Sequence, residues 1–133
     1  MFGFGGMTRG DRVAHVLVVE DDVDVASLLQ QVLSRVGHEV DVVHDGGAGL
    51  DAAHARHPDV VILDWMMPIK SGIEVCSELR SDPGFADTRI MMLTARSSPQ
   101  DVSRAKAAGV DDYVTKPFTP RQLRERIELL LAG

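Results

Sequence analysis

The sequence is short of cysteine, of aromatics and of positive charge, and each shortage excludes something. It holds one cysteine, one tryptophan and one tyrosine, and its 14 Lys+Arg are outnumbered by 20 Asp+Glu. Cys76 alone makes no internal disulfide and suits a reducing compartment. A formal net charge of -6 works against non-specific attraction to polyanions, so no nucleic-acid binding by this chain alone is expected. No apolar run reaches the roughly 20 residues that span a bilayer, and residues 1–12 lack the apolar stretch of a signal peptide. A cytoplasmic location without a membrane partner is therefore expected. What is present suffices for one fold: 44% hydrophobic content in 133 residues builds one core and leaves no room for a second domain. The Gly-rich start, residues 1–12, is set apart as a flexible tail or a remnant of expression, and the domain is placed at residues 13–131.

Short aliphatic runs punctuate the chain. Val16 to Val19, Val60 to Leu63 and Ile90 to Leu93 are continuous, as strands covered on both faces are, whereas Val40, Val42 and Val43 are interrupted and suit a sheet edge. Between them run helical spacings. Ala26, Leu29, Leu33 and Val36 mark the first helix, closed by Gly37. A second runs from the His44-Asp45-Gly46-Gly47 turn to about Arg56, stopped by Pro58. Ile73, Cys76 and Leu79 mark the third, Pro99 to Ala108 the fourth, and Leu123, Ile127 and Leu130 the last. Asp112 to Thr115 supplies the fifth strand. Five strands alternating with five helices predict an α/β fold, a parallel sheet joined by right-handed crossovers with helices on both faces.

Ligands of such sheets collect beyond the carboxyl ends of the strands. The residues directly after the runs are polar: Glu20-Asp21, Asp64, Thr94 and Lys116. Several carboxylates at one edge repel one another unless compensated, and Mg2+, which takes few carboxylates and shares its shell with phosphate oxygens, fits this set. The run Asp22-Val23-Asp24-Val25-Ala26 lacks the third ligand and the glycine of an EF-hand. Adding a hydroxyl and an ammonium completes the parts that phosphoryl transfer needs, which is mainly positioning and charge stabilisation. Asp64 is then the nucleophile, Lys116 a point charge on a phosphoryl oxygen and Thr94 a hydrogen-bond donor to another.

The motifs VLVVEDD at 16–22, VVILDWMMP at 60–68, LTA at 93–95 and DDYVTKPF at 111–118, in this order at the ends of strands one, three, four and five, resemble the receiver domain of bacterial two-component response regulators from Val13 to Leu131. LDWMMP and LTAR look most like the OmpR/PhoB-like subfamily. The resemblance implies a flavodoxin-like doubly wound (βα)5 fold of strand order 2-1-3-4-5. It implies Asp64 as phosphoacceptor, with Glu20, Asp21, Asp64 and the Met66 backbone carbonyl around the magnesium, and Thr94, Ala95 and Lys116 around the phosphoryl group. It also implies a cis Lys116-Pro117 bond, and Thr94 with Tyr113 as the switch that rearranges the fourth helix, fifth strand and fifth helix.

A histidine kinase or phosphotransfer protein is the implied donor, and a downstream effector domain or protein the reader. The subfamily's homodimer uses the same surface, where Asp111, Asp112, Arg104, Arg124 and Arg126 supply charges but Val102, Ala107 and Gln122 depart from the pattern. Two other functions compete. A haloacid-dehalogenase-type phosphatase needs an acid two residues after its nucleophile, where Met66 stands, and a phosphorylation-independent receiver-like interaction domain usually loses part of a set that is complete here. Gly46-Gly47-Ala48-Gly49 lacks the Lys-Ser/Thr of a P-loop and is read as a flexible helix start. His54 and His57 stand one helical turn apart beside Pro58, and a structural zinc there is disfavoured. Cys76 is expected in the core, Trp65 either over the site or exposed, and Arg121, Arg124 and Arg126 on a solvated face.

Overall fold

Strands whose side chains alternate between two apolar layers must be covered twice, and the aliphatic runs are. The structure, a computed structural model, describes residues 13–133; the tail expected over residues 1–12 lies outside them. In chain order the elements are β1 (His15–Val19), α1 (Val23–Arg35), β2 (Glu39–Val43), α2 (Gly46–Arg56), β3 (Val60–Leu63), α3 (Gly72–Arg80), β4 (Arg89–Thr94), α4 (Pro99–Ala108), β5 (Asp112–Thr115) and α5 (Pro120–Ala132). The five strands pair in parallel in the order β2-β1-β3-β4-β5. This is the doubly wound α/β architecture expected from the alternation of the two patterns.

Alternate residues along each of the three central strands feed different cores. Leu17, Val19, Val61, Leu63, Ile90 and Met92 meet α2, α3 and α4 through Leu50, Ala53, Val75, Cys76, Leu79 and Ala105. Val16, Val18, Val60, Ile62, Met91 and Leu93 meet α1 and α5 through Ala26, Leu29, Leu33, Leu123, Ile127 and Leu131. Each fully buried aliphatic side chain contributes about 1.5–3 kcal/mol of transfer free energy, so the three central strands anchor the domain. α4 is the exception, because Ala105 is its one buried residue.

The helical stripes differ in detail from the sequence spacing. Val36 is 46% exposed because it lies past α1 as its C-terminal cap, and Val32 takes the buried place. In α3 the inward residue is Val75, with Ile73 half-buried, and in α5 Leu131 is buried where Leu130 is only partly so. In all three helices the inward stripe includes a neighbour of the expected residue, because the line of contact with the twisted sheet sets it.

The glycine stretch of α2 answers to packing and not to flexibility. A Cβ on Gly49 would stand 2.9 Å from a Val19 methyl, so α2 lies flat against β1 only with glycine there. The histidine pair has a structural task as well. Phe85, in a 3-10 turn over Pro83–Phe85, is buried between the rings of His54 (edge-on, centroids 5.1 Å apart) and His57 (stacked, 4.8 Å).

Arg80 closes the far end of α3. Its guanidinium donates to the carbonyls of Gly109 (2.9 Å) and Phe85 (2.8 Å) and to Asp111 (2.7 Å), whose carboxylate also accepts the Ile90 N–H at 2.8 Å. One side chain thus joins α3, the 3-10 turn, the end of α4 and the start of β5. Arg80→Ala, which removes one donor each from two carbonyls and a carboxylate and the link between four segments, is expected to cost about 2–4 kcal/mol in urea unfolding with an unchanged m-value; a loss under about 0.5 kcal/mol would contradict the role given to it.

Candidate functional site

The residue that follows β1, β3 and β5 is held by one more rung of the parallel ladder. Glu20 N–H donates to the Val43 carbonyl (3.0 Å), Asp64 N–H to Val19 (3.2 Å) and Lys116 N–H to Thr94 (2.8 Å). The backbone of each polar residue is therefore as fixed as the sheet, while its side chain leaves the two covered layers. That is how an apolar run positions the polar residue after it.

The side chains converge. Carboxylate oxygens of Glu20, Asp21 and Asp64 all lie within 4.8 Å of one another. The Lys116 ammonium stands 2.8 Å from Glu20 Oε1 and 2.9 Å from Asp64 Oδ2, across 96 and 52 residues of sequence. Glu20 is 2% exposed, Asp64 partly buried, and Asp21 open to solvent. Asp64 Oδ1 accepts the Trp65 N–H at 2.6 Å. Asp22 is not part of this cluster: its carboxylate caps α1, accepting from Asp24 and Val25 N–H, and with Asp24 in the first turn it places negative charge at the positive end of the helix.

The neighbouring strand ends bring the remaining residues. Thr94 ends β4 and is buried, with its hydroxyl accepting the Arg96 N–H at 3.4 Å, and Ala95 follows it into solvent. The Lys116-Pro117 bond is cis. Tyr113 is half-buried on β5 and its hydroxyl donates to the Arg96 carbonyl at 2.7 Å, two residues past Thr94. Met66 is 63% exposed on the loop after Asp64. On the other side of that loop α3 begins at Gly72, whose N–H donates to the Trp65 carbonyl at 2.8 Å. A Cβ there would run into the Asp64 carbonyl oxygen. The helix is thus seated directly against the backbone of Asp64.

Some of the surrounding residues were not legible as part of this region. Trp65 is neither a cover over the site nor exposed; it is buried, 4% exposed, in the layer shared with α3 and α4. In sequence Arg96 stood out only as the last residue of LTAR, with no role of its own, yet it touches Trp65, Asp101 and Tyr113. The surface charges are mostly spoken for within the chain: Asp111 pairs with Arg80, and Asp112 with Arg126 through two nitrogens.

Two carboxylates share one ammonium, and the electrostatics follow from that imbalance. Burial pushes the Glu20 carboxyl up to about 7, the Asp64 charge adds to the rise, and Lys116 pulls against it. Burial would lower Lys116, but its contacts to Glu20 and Asp64 outweigh this and hold it above its usual value. The one contact thus favours charge on the lysine while Glu20 remains easy to protonate. Lys116 is the fixed cation, and Glu20 takes up the proton on acidification. The donor set, all oxygen, with negative charge in excess and one carboxylate paying for its burial, fits a hard divalent cation such as Mg2+.

The raised carboxyl makes stability depend on pH. Folded Glu20 titrates near 7 against 4.5 ordinarily, so the folded state holds the proton more tightly, and this stabilisation is present below pH 4.5 and is lost as pH rises through 7. With chelator present, the chain is expected to lose on the order of 2–3 kcal/mol between about pH 4.5 and 7.5 by this group. Urea midpoints of wild type and Glu20→Gln across that range measure it: Glu20→Gln should lack this share of the slope, and parallel curves would refute the assignment.

Comparison with known proteins agrees with this geometry. The response regulator receiver domain family matches residues 16–128. The DNA-binding response regulator MtrA of Mycolicibacterium smegmatis is 42% identical over 116 residues, which cover 87% of this chain and 50% of MtrA. The chain spans about half the length of the curated relatives it matches. The chemotaxis protein CheY4 of Vibrio cholerae superposes with a TM-score of 0.85 at 31% identity, over 90% of this chain and 99% of that one. The BeF3-activated N-terminal receiver domain of Klebsiella pneumoniae RstA does so at 0.83 and 29%, over 90% and 99%. With its fold, its strand-end carboxylates and these relatives in agreement, the chain belongs to the response regulator receiver domain family, in its OmpR/PhoB-like branch.

Proposed function

We propose that Asp64 accepts a phosphoryl group from a histidine kinase or a phosphotransfer protein, and that the modified chain is read by a downstream effector through α4, β5 and α5. The observation that carries this reading is the Lys116 ammonium 2.9 Å from Asp64 Oδ2, beside three carboxylates that converge on one point. An Asp64 oxygen attacks phosphorus as the N–P bond of the donor phosphohistidine breaks; the product is an acyl phosphate and the imidazole leaves with the bonding pair. Lys116 keeps Glu20 and passes from the Asp64 oxygen to a phosphoryl oxygen, and Thr94 with the Ala95 N–H addresses the others.

Asp21, Asp64 and the Met66 carbonyl would hold Mg2+ directly, with Glu20 next to them. When bound, the ion supplies neutralising charge for the phosphoryl oxygens. The chain is a phosphoacceptor switch whose catalysis is limited to its own phosphorylation and dephosphorylation. Among the described residues no helix is long and apolar enough to cross a membrane, and a cytoplasmic site of action accords with that.

The readout is a shift between two arrangements. The Thr94 hydroxyl has only a long bond from Arg96 N–H to give up when it turns to the phosphoryl group. Tyr113 then leaves the Arg96 carbonyl for the space released. α4, with one buried residue, moves at small cost. A homodimer through α4, β5 and α5 would have to share Asp112 with Arg126 and Asp111 with Arg80, since both pairs already exist within the chain.

Incubation with phosphoramidate and magnesium is expected to add one base-labile phosphoryl group, seen by mass spectrometry, and Asp64→Asn to add none. Label retained in that variant sinks the assignment. Thr94→Ala is expected to keep magnesium affinity within about threefold while losing most of the amide shift changes over residues 99–132 that beryllofluoride produces in wild type. Undiminished shift changes there would remove Thr94 from the switch.

A further inference from the structure

The single tryptophan directly follows Asp64, is buried, and has no part in the phosphoryl chemistry above. Two cations cover it. The guanidinium carbon of Arg96, in the loop between β4 and α4, lies 4.6 Å from the ring centroid, and that of Arg104, in the middle of α4, lies 5.5 Å away. Both are within the reach at which a ring face attracts a cation, and a ring so far out of water strengthens the attraction.

Arg96 has further ties. Its Nε and Nη2 each stand 3.2 Å from a different oxygen of Asp101, in the first turn of α4, a two-point grip that a lysine does not reproduce. Its carbonyl is the acceptor of the Tyr113 hydroxyl. One residue thus touches the acceptor's neighbour, the start of α4 and β5. The N-terminal half of α4 has little apolar anchoring, since the one buried residue of the helix is Ala105 and its other ties, from Cys76 and Arg80 to the Ala108 and Gly109 carbonyls, are at its C-terminal end.

We propose that Arg96 is a positioning residue that, through Trp65 and Asp101, latches α4 onto the acceptor loop, giving Asp64 a second mechanical connection to α4 that bypasses the Thr94 hydroxyl. Displacement of the backbone at Asp64–Trp65 moves the ring out from under Arg96 and Arg104, and α4 loses its polar tether at both its first turn and its middle. The latch in the unmodified chain stands by itself; only its release on modification rests on the phosphoryl reading of Asp64.

Hydrogen exchange over residues 99–108 and acrylamide quenching of the lone tryptophan test this in the unmodified chain. Arg96→Gln is expected to raise exchange in α4 about tenfold and quenching of Trp65 about twofold, with α1 and β1 unaffected. Arg96→Lys, which keeps a cation over the ring but not the two-point grip, should recover most of the quenching protection and little of the exchange protection. Arg104→Gln, on the exposed side of α4, should shift both in the same direction by a smaller factor, and serves if Arg96→Gln fails to fold. Wild-type exchange and quenching in both glutamine variants would overturn the latch, as would uniform acceleration across all elements. Beryllofluoride with magnesium, added to wild type, should increase quenching of Trp65. If it does not, while Arg96→Gln still loosens α4, the latch holds and its release on modification fails, the phosphoryl reading of Asp64 failing with it only if phosphoramidate also adds no label; if wild type responds and the variants behave like it, the reading holds and the latch falls.

Discussion

One ammonium between two carboxylates governs this domain. Lys116 joins Glu20 and Asp64 at 2.8 and 2.9 Å and so ties the end of β5 to the ends of β1 and β3, strands that are not neighbours of β5 in the sheet. Burial pushes the Glu20 carboxyl up to about 7, the neighbouring Asp64 charge adds to the rise, and the single charge of Lys116 does not offset the two together. A site left short of positive charge favours a hard cation. The convergence of the strand ends and the electrostatic tension at the sheet edge have the same origin.

The rest of the molecule serves to keep that edge in register. Parallel strands covered on both faces can extend a rung past their apolar run, and Glu20, Asp64 and Lys116 each sit on such a rung. α3 is seated against the Asp64 backbone at Gly72, and Arg80 holds the opposite end of that helix to α4 and β5. Against this rigid frame α4 stands out for its lack of buried apolar surface. It is held by polar contacts around Arg96, and polar contacts can be exchanged for others without emptying a core.

Much of the site was readable because its signal is local. An aliphatic run followed by one polar residue encodes both a strand and the place where its covering stops, so Asp64, Thr94 and Lys116 could be found without any tertiary information. The helical stripes were readable to within a few positions: Val36 gave way to Val32 because it lies past the helix end, while Ile73 and Leu130 pack partly buried against the cores alongside the fully buried Val75 and Leu131. Gly46 to Gly49 misled, since a glycine demanded by Val19 across the interface looks in sequence the same as one that permits flexibility.

By itself the sequence determined the alternation of five strands and five helices, the acidic balance of the chain and the residues at the carboxyl edge, all of which follow from periodicity and composition over a few neighbouring positions. Only the tertiary structure decided that Trp65 is buried, that Asp22 turns away to cap a helix, and that Arg96 reaches Trp65, Asp101 and Tyr113. These depend on which surfaces two distant segments present to one another once both are packed. A long side chain such as arginine leaves no periodic trace of where its far end will bind.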